Sequence, residues 1–409
     1  MAPARDTAFA ADDADTAGAG FAAVVTQSPE AAPSPEAAEQ PARATDPTGS
    51  GGGIRGGGDH AAGGGGGERP PASPGRAQSW WRAERLLPHG LRAVTTVPFI
   101  VLVLIVLTLV LKAWKAIRFN GFGFFTHTQW NIGATYSPLV TTHGIAHPPE
   151  AAYGALPLIV GTLVSSAIAV VLAVPVAIGT ALIVVEKLPP RISSAVGFCL
   201  EVLAGVPSVV FGLWGALTLG PFLAHHIAPI WADHIPDVPV LRFFKAPTYG
   251  GYGLFTTGVV LAVMILPIIA ATTRDLLRQV PRGTVEGAVA LGMTESEALG
   301  TVTIPWVRAG VIGATVLGLG RALGETIAVT MVSGSLTVYP HSLYSSFGTI
   351  AANILNTLDS AFGDASGLAT SSLAELALVL LVITLLANIG ARLLVRRVAT
   401  TALPVGRGI

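Results

Sequence analysis

Large apolar side chains fall in six blocks along the chain, with polar or Gly/Pro-rich segments between them. The blocks lie at about 94–114, 156–185, 192–223, 254–271, 309–332 and 373–394. Each is long enough, at about 18–20 residues or more, to cross the roughly 30 Å hydrocarbon core as a helix. The runs are unbroken, whereas strands of a membrane barrel would alternate apolar and polar positions over about ten residues. The pattern therefore predicts an all-α integral membrane protein with about six transmembrane helices. Pro175 in the second block and Pro207 in the third are compatible with spans, because neighbouring helices can re-satisfy the freed backbone groups. A kink is expected at Pro175 and an interruption at Pro207.

Composition sharpens this picture. The 409 residues are 51% hydrophobic and 12% charged, about half the charged share of a soluble domain. Formal net charge is zero, so nothing in the balance attracts nucleic acid. A single cysteine, Cys199, excludes an internal disulfide and any CxxC metal site. His225, His226 and His234 have no fixed ligand spacing, and no metal is expected. Residues 1–75 are rich in Ala, Gly, Pro, Asp and Glu, with a glycine-dominated run at 51–67. Such a segment buries too little apolar surface to offset its ordering entropy, so a disordered cytoplasmic tail is expected. The expected order continues with the first span and its flanks over 76–150, the transmembrane permease domain over 151–398, and a cytoplasmic tail over 399–409.

Orientation follows from the basic residues. Placing both termini inside puts Arg76, Arg82, Arg85, Arg92, Lys187, Arg191, Arg274, Arg278, Arg282, Arg308, Arg392, Arg396, Arg397 and Arg407 on cytoplasmic flanks. Lys112, Lys115, Arg118, Arg242 and Lys245 then face outward, a smaller group. The loops at 118–155, 224–252 and 337–372 become external, and 272–308 becomes cytoplasmic. This places the chain in the cell membrane as a multi-pass protein.

The cytoplasmic segment 281–305 reads PRGTVEGAVALGMTESEALGTVTIP. A helix running to Leu291 is expected to stop at Gly292, which tolerates a left-handed conformation. Thr294 and Glu297 have capping-box spacing and start a second short helix. Two short helices joined by a bend make a compact knob that suits a groove on a partner. Glu286, Ala288, Gly292 and the closing Ile304–Pro305 resemble the EAA loop of ABC-importer permeases, with Gly287 where that family usually has alanine. The resemblance implies that this loop docks into an ATP-binding subunit and transmits its motion. The four lysines follow Leu111, Trp114, Glu186 and Phe244, so the chain lacks the Gly-Lys-Ser/Thr of a phosphate-cradling loop. ATP and magnesium would be used by a separate subunit. This chain is expected to bind no cofactor and to perform no covalent chemistry.

In the fifth block, WVRAGVIGATVLGLGRALGETIAVTMV, Gly310, Ala314, Gly318 and Ala322 recur every four residues, a face that lets another helix approach closely. Leu317, Arg321 and Glu325 share an adjacent face. A charge at mid-bilayer costs about 2.5–3.5 kcal/mol on insertion scales, so Arg321 must face protein or water. Glu325, four residues on, is expected to neutralise it. Either the pair lines a translocation path, where the guanidinium fork matches an oxyanion, or it is a structural ion pair. The GLGRALGET string, together with 154–186 and EVLAGVPSVVFG at 201–212, resembles the phosphate-specific permeases of ABC importers. The arrangement is closest to the PstC type. The resemblance implies a type I importer permease that is half of a phosphate path. It also implies a second homologous permease subunit, two ATP-binding subunits and an extracytoplasmic phosphate-binding protein. Sulfate and molybdate permeases share the Arg-Ala-(Leu/Val)-Gly-Glu string, so another oxyanion is the alternative. An ion-coupled carrier using Arg321 and Glu325 is a more distant one. Glu201, at the start of the third block, is expected to pair with a basic residue or to face the path.

Overall fold

The computed structural model describes residues 77–142, 144–230, 238, 243 and 251–400, with side chains from 95 to 397. The expected tail at 1–75 lies outside the described residues, as do His234, most of the loop before 251, and all but residues 399–400 of the expected tail at 399–409. The described residues are predominantly helical, and six helical stretches are long and apolar enough to span a membrane.

The first span is the apolar part, Thr95–Asn120, of α1 (Ala77–Asn120). A small module of short elements follows. It contains α2 (Gly123–Thr126) and the strands β1 (Trp130–Asn131), β2 (Val140–Thr142), β3 (Ile145–His147) and β4 (Ala152–Tyr153). β1 pairs antiparallel with β4, Trp130 opposite Tyr153, and β2 pairs antiparallel with β3. The second span is α3 (Leu156–Leu182), which passes through Pro175 and ends in a π-helical turn over Ile183–Lys187.

The third block is not one helix. α4 (Pro190–Ala204) stops at Gly205, and a new helix begins at Ser208. The reason is local: Pro207 forces the residue before it away from helical geometry. The membrane-length stretch is therefore Ser208–Ile230 rather than 192–223. It comprises α5 (Ser208–Trp214) and α6 (Gly220–Phe222), with π-helical turns between and after them. The fourth span is α7 (Leu254–Leu277).

The next segment contains α8 (Arg282–Ala290), α9 (Glu295–Ala298) and α10 (Ile304–Leu323). A π-helical turn over Leu299–Thr303 joins α9 to α10, so the helix is continuous from Glu295 to Leu323. Pro305 has no N–H, and its ring would crowd the Thr301 carbonyl in a regular helix. The widened turn before it accommodates both and lets the helix run on. The expected second short helix is thus the beginning of the fifth span. That span ends at Leu323 and not at 332; α11 (Ile327–Val332) follows after a break. α12 (Ile350–Phe362) and the sixth span, α13 (Leu368–Thr400), complete the chain.

Packing is built around α7, which lies against α3, α10 and α4. Two thirds of the most apolar window of α7 is buried, 67%, against 6% for the first span. Small residues permit the close approach: Ala169, Ala173, Ala177 and Ala181 repeat every four positions on α3 and are all buried. On α10 the expected small face forms. A methyl group at Gly310 would collide with Leu276, and one at Gly318 with Ile269, both on α7. A second core gathers Phe124, Tyr153, Leu158, Ile350, Leu368 and Leu376 where this small module meets α3, α12 and α13. α1 packs mainly on α13 and leaves Phe99, Leu104 and Leu111 exposed, as expected of a lipid-facing helix.

Candidate functional site: the coupling bend and the break after Arg321

α8 begins after Pro281 and carries Glu286, Gly287 and Ala288 in its last two turns. Its end is closed by a Schellman motif. The Gly292 N–H donates to the Val289 carbonyl at 2.9 Å, and the Met293 N–H to the Ala288 carbonyl at 3.2 Å. Gly292 has φ +96°, the left-handed region that a side chain makes costly. Thr294 then caps the following helix. Its Oγ1 accepts from the Glu297 N–H at 3.3 Å, and Glu297 Oε2 accepts from the Thr294 N–H at 2.8 Å. Both features expected from the sequence are present. The bend is a self-contained hydrogen-bonded unit.

Its surface is apolar at the tip. Val289, Leu291 and Met293 are exposed, Leu291 by 86%. Ala288 is buried, while Glu286 and Gly287 are exposed. Ile304 and Pro305 are the first two residues of α10, with Ile304 exposed. Beside the bend is a cavity of about 510 Å³ lined by Glu186, Ser193, Arg278, Arg282, Glu286 and Thr303. It lies where the ends of α3 and α7 meet the starts of α4 and α8. Lys187 reaches Glu295 at 3.4 Å, but both side chains are well exposed and the pair adds little stability.

The second feature is the break at 324–326. Arg321 is in the last turn of α10, and Glu325 lies beyond the helix end. The four-residue spacing is therefore not carried by a helix, and the expected ion pair is not formed. Instead Glu325 Oε1 accepts from the Ala328 N–H at 3.2 Å, at the start of α11. Thr326 Oγ1 donates to the Gly324 carbonyl at 3.3 Å. Arg321 is half-buried and has no carboxylate partner among the described residues. The interruption lies within the apolar stretch of the chain. Non-helical backbone at membrane depth is tolerated where it is buried in protein or lines a water-filled cavity.

Glu201 makes an ion pair with a basic residue on a neighbouring helix. Arg274 Nη2 donates to Glu201 Oε1 at 2.8 Å and to Asp275 Oδ1 at 2.9 Å. Arg274 is nearly buried against α4, and Gly197 makes the room, since a methyl group there would overlap the guanidinium.

Sequence reasoning passed over the opposite end. Glu375, inside the sixth apolar block, is only 5% exposed and accepts from Asn120 Nδ2 at 2.9 Å, joining α13 to α1. An isolated carboxylate in such a run was the available signal. Nearby, Asp364 accepts from the Ser366 N–H and Oγ at 2.8 Å and from the Ala369 N–H at 2.9 Å. Burial works against the Asp364 carboxylate, but these donors prevail and hold it below the usual carboxylate range. The buried Tyr153 phenol is pushed up, first by burial and then by the charge of Asp364.

The family described as "Binding-protein-dependent transport system inner membrane component" matches residues 173–400. Among curated relatives, "Phosphate transport system permease protein PstC 1" of Mycobacterium tuberculosis is 58% identical over 321 residues. That alignment covers 78% of this chain and 94% of the relative. The protein of the same name in Mycobacterium bovis matches equally. "Phosphate transport system permease protein PstC" of Pasteurella multocida is 39% identical, covering 73% of this chain and 88% of the relative. Among solved structures, an inward-facing MetNI methionine ABC transporter chain aligns at 17% identity with a TM-score of 0.41, over 60% of this chain and 94% of that one. The chain belongs to the binding-protein-dependent transport system inner membrane components, among the PstC-type permeases.

Proposed function

We propose that this chain forms half of the path by which an ABC importer carries inorganic phosphate into the cell. A permease of this family is the membrane-spanning component, not the ATPase, and in general works with ATP-hydrolysing and solute-binding partners. The observation that carries the phosphate reading is the 58% identity, over nearly the whole length of the relative, to a phosphate transport system permease. The finer assembly is our reading: a second homologous permease, two ATP-binding subunits and an external phosphate-binding protein.

Within it, Glu286, Gly287, Ala288, Gly292, Ile304 and Pro305 belong to the coupling segment. Support comes from the rigid bend with its exposed Leu291, which suits a groove on the ATP-binding subunit. Arg321 and Glu325 line the path. Support comes from the broken helix at membrane depth and from an arginine with no carboxylate partner among the described residues. An Arg321 fork free of a carboxylate can meet a passing oxyanion directly.

The test is uptake of radiolabelled phosphate in a strain lacking its own high-affinity phosphate permease. Expression of this chain with its partner subunits restores uptake, and an excess of sulfate or molybdate does not compete. Competition by either anion would move the assignment to that substrate. Both termini and the coupling segment are placed in the cytoplasm. In a Cys199→Ser background, cysteines at 286–300 then react with an impermeant thiol reagent only after the membrane is opened. Labelling of that segment in intact cells would reverse the orientation.

A further inference from the structure

Between α10 and α13 runs a groove of about 400 Å³ that the transport reading does not use. Gly313 and Leu317 on α10 face Ala391 and Val395 on α13, and Arg392 and Arg396 complete the lining. No carboxylate among the described residues lines it. A methyl group built on Gly313 would meet nothing within 4 Å, so the glycine leaves the groove open rather than serving a helix contact.

The two arginines are one helical turn apart on α13. Both lie toward the C-terminal end of α13, where its apolar block gives out. The Arg392 side chain is exposed and has no ion pair among the described residues. A guanidinium at the edge of an apolar block is costly unless an anion reaches it or it snorkels to the headgroup layer. The groove offers a cationic end at headgroup depth and apolar walls running toward the bilayer centre. That is the shape and charge of one molecule abundant at this place, an anionic phospholipid. We infer that the groove between α10 and α13 holds an anionic phospholipid, its phosphodiester on Arg392 and Arg396 and an acyl chain along Gly313, Leu317, Ala391 and Val395. Because α10 leads directly into the coupling bend, the lipid sits against the helix that transmits the motion.

The experiment is native mass spectrometry of the assembled transporter in mild detergent, titrated with phosphatidylglycerol or phosphatidylethanolamine. Wild-type protein is expected to retain phosphatidylglycerol about thirtyfold more strongly, at about 1 kcal/mol for each of the two arginines near the headgroups. Arg392→Gln with Arg396→Gln removes that preference. Gly313→Ile fills the groove without touching the charges and lowers retention of the same lipid. Arg191→Gln, outside the groove, changes nothing. Equal retention of the two lipids by wild type overturns the inference, and it does so even where a variant fails to assemble. Displacement of the lipid by millimolar inorganic phosphate would mark a free-anion site and overturn it as well. So would an efficient cross-link from a cysteine at position 313 to the second permease subunit, which would put protein in the groove.

Discussion

The fifth span is bounded by two interruptions, and they are held in different ways. At Gly292 every turn-forming bond is made by residues within five positions, most at 2.8–3.2 Å, and a capping box locks the far side. At Gly324 the chain leaves the helix with longer contacts, 3.2–3.4 Å, and the side chain that caps the next helix is the carboxylate of Glu325. The first is a rigid turn outside the membrane-crossing stretch, fit to carry force as one body. The second leaves Arg321 without a carboxylate partner among the described residues. On the proposed reading the two breaks differ in role: the first would transmit motion and the second would meet what is carried.

The largest expected effect is at the rigid bend. Gly292→Val puts a β-branched residue at φ +96°, at a cost above the roughly 1–2 kcal/mol that an ordinary side chain incurs there. The space around it is open, so the damage is conformational and not steric. The protein should reach the membrane at normal levels while phosphate-stimulated ATP hydrolysis falls to background. Gly292→Asn, which tolerates the left-handed region, should keep much of the coupling. Full stimulation in the valine variant would mean that the bend need not be rigid.

At the other break, Arg321→Gln should lower phosphate uptake by about tenfold or more at unchanged membrane level, since a charge-assisted contact is worth about 1.5–3 kcal/mol. Because Arg321 and Glu325 are not paired, the single change strands no buried carboxylate and can be read alone. Arg321→Lys should be intermediate, because a point charge does not reproduce the planar fork. Wild-type uptake in Arg321→Gln would remove this arginine from the path.

These two regions also show what a single chain discloses. Gly292, Thr294 and Glu297 were legible because their roles depend on neighbours within a few positions. The small face at Gly310, Ala314, Gly318 and Ala322 was legible from its period, and α7 fills the space against it. The break at 324–326 was not, because GLGRALGET has no proline and its apolar run continues to Val332. Helix propensity alone does not end a helix there; a glycine followed by a carboxylate that captures the Ala328 N–H does. The Glu201–Arg274 pair spans 73 residues of chain, so its existence was expected but its partner was not readable. The separation of α4 from α5 was readable from Pro207, yet the apolar run on both sides suggested one span.

A smaller effect is expected at Glu325. Glu325→Gln keeps an oxygen that accepts from the Ala328 N–H, so α11 stays capped and uptake should fall less than about threefold. Glu325→Leu removes the acceptor and should cost about 1 kcal/mol of local stability, with a larger loss of uptake. If the glutamine variant fails as completely as the leucine one, the charge itself acts on the path and the capping account is insufficient.

The smallest effect should come from Gly287→Ala, and it bears on the coupling bend alone. Gly287 lies inside α8, exposed, where a methyl group would meet nothing within 4 Å. Alanine is favoured over glycine in a helix interior by about 1 kcal/mol, so α8 should become slightly more stable. If the ATP-binding subunit grips this helix through Glu286, Ala288 and the apolar tip, phosphate uptake in Gly287→Ala should stay within about twofold of wild type while the melting temperature of the assembled transporter rises or holds. A clear loss of uptake in a properly assembled variant would carry a different meaning. The partner would then approach the α8 backbone at this position too closely for a methyl group. Gly287 would be a contact residue in its own right, and the bend would dock through backbone as well as through its exposed side chains.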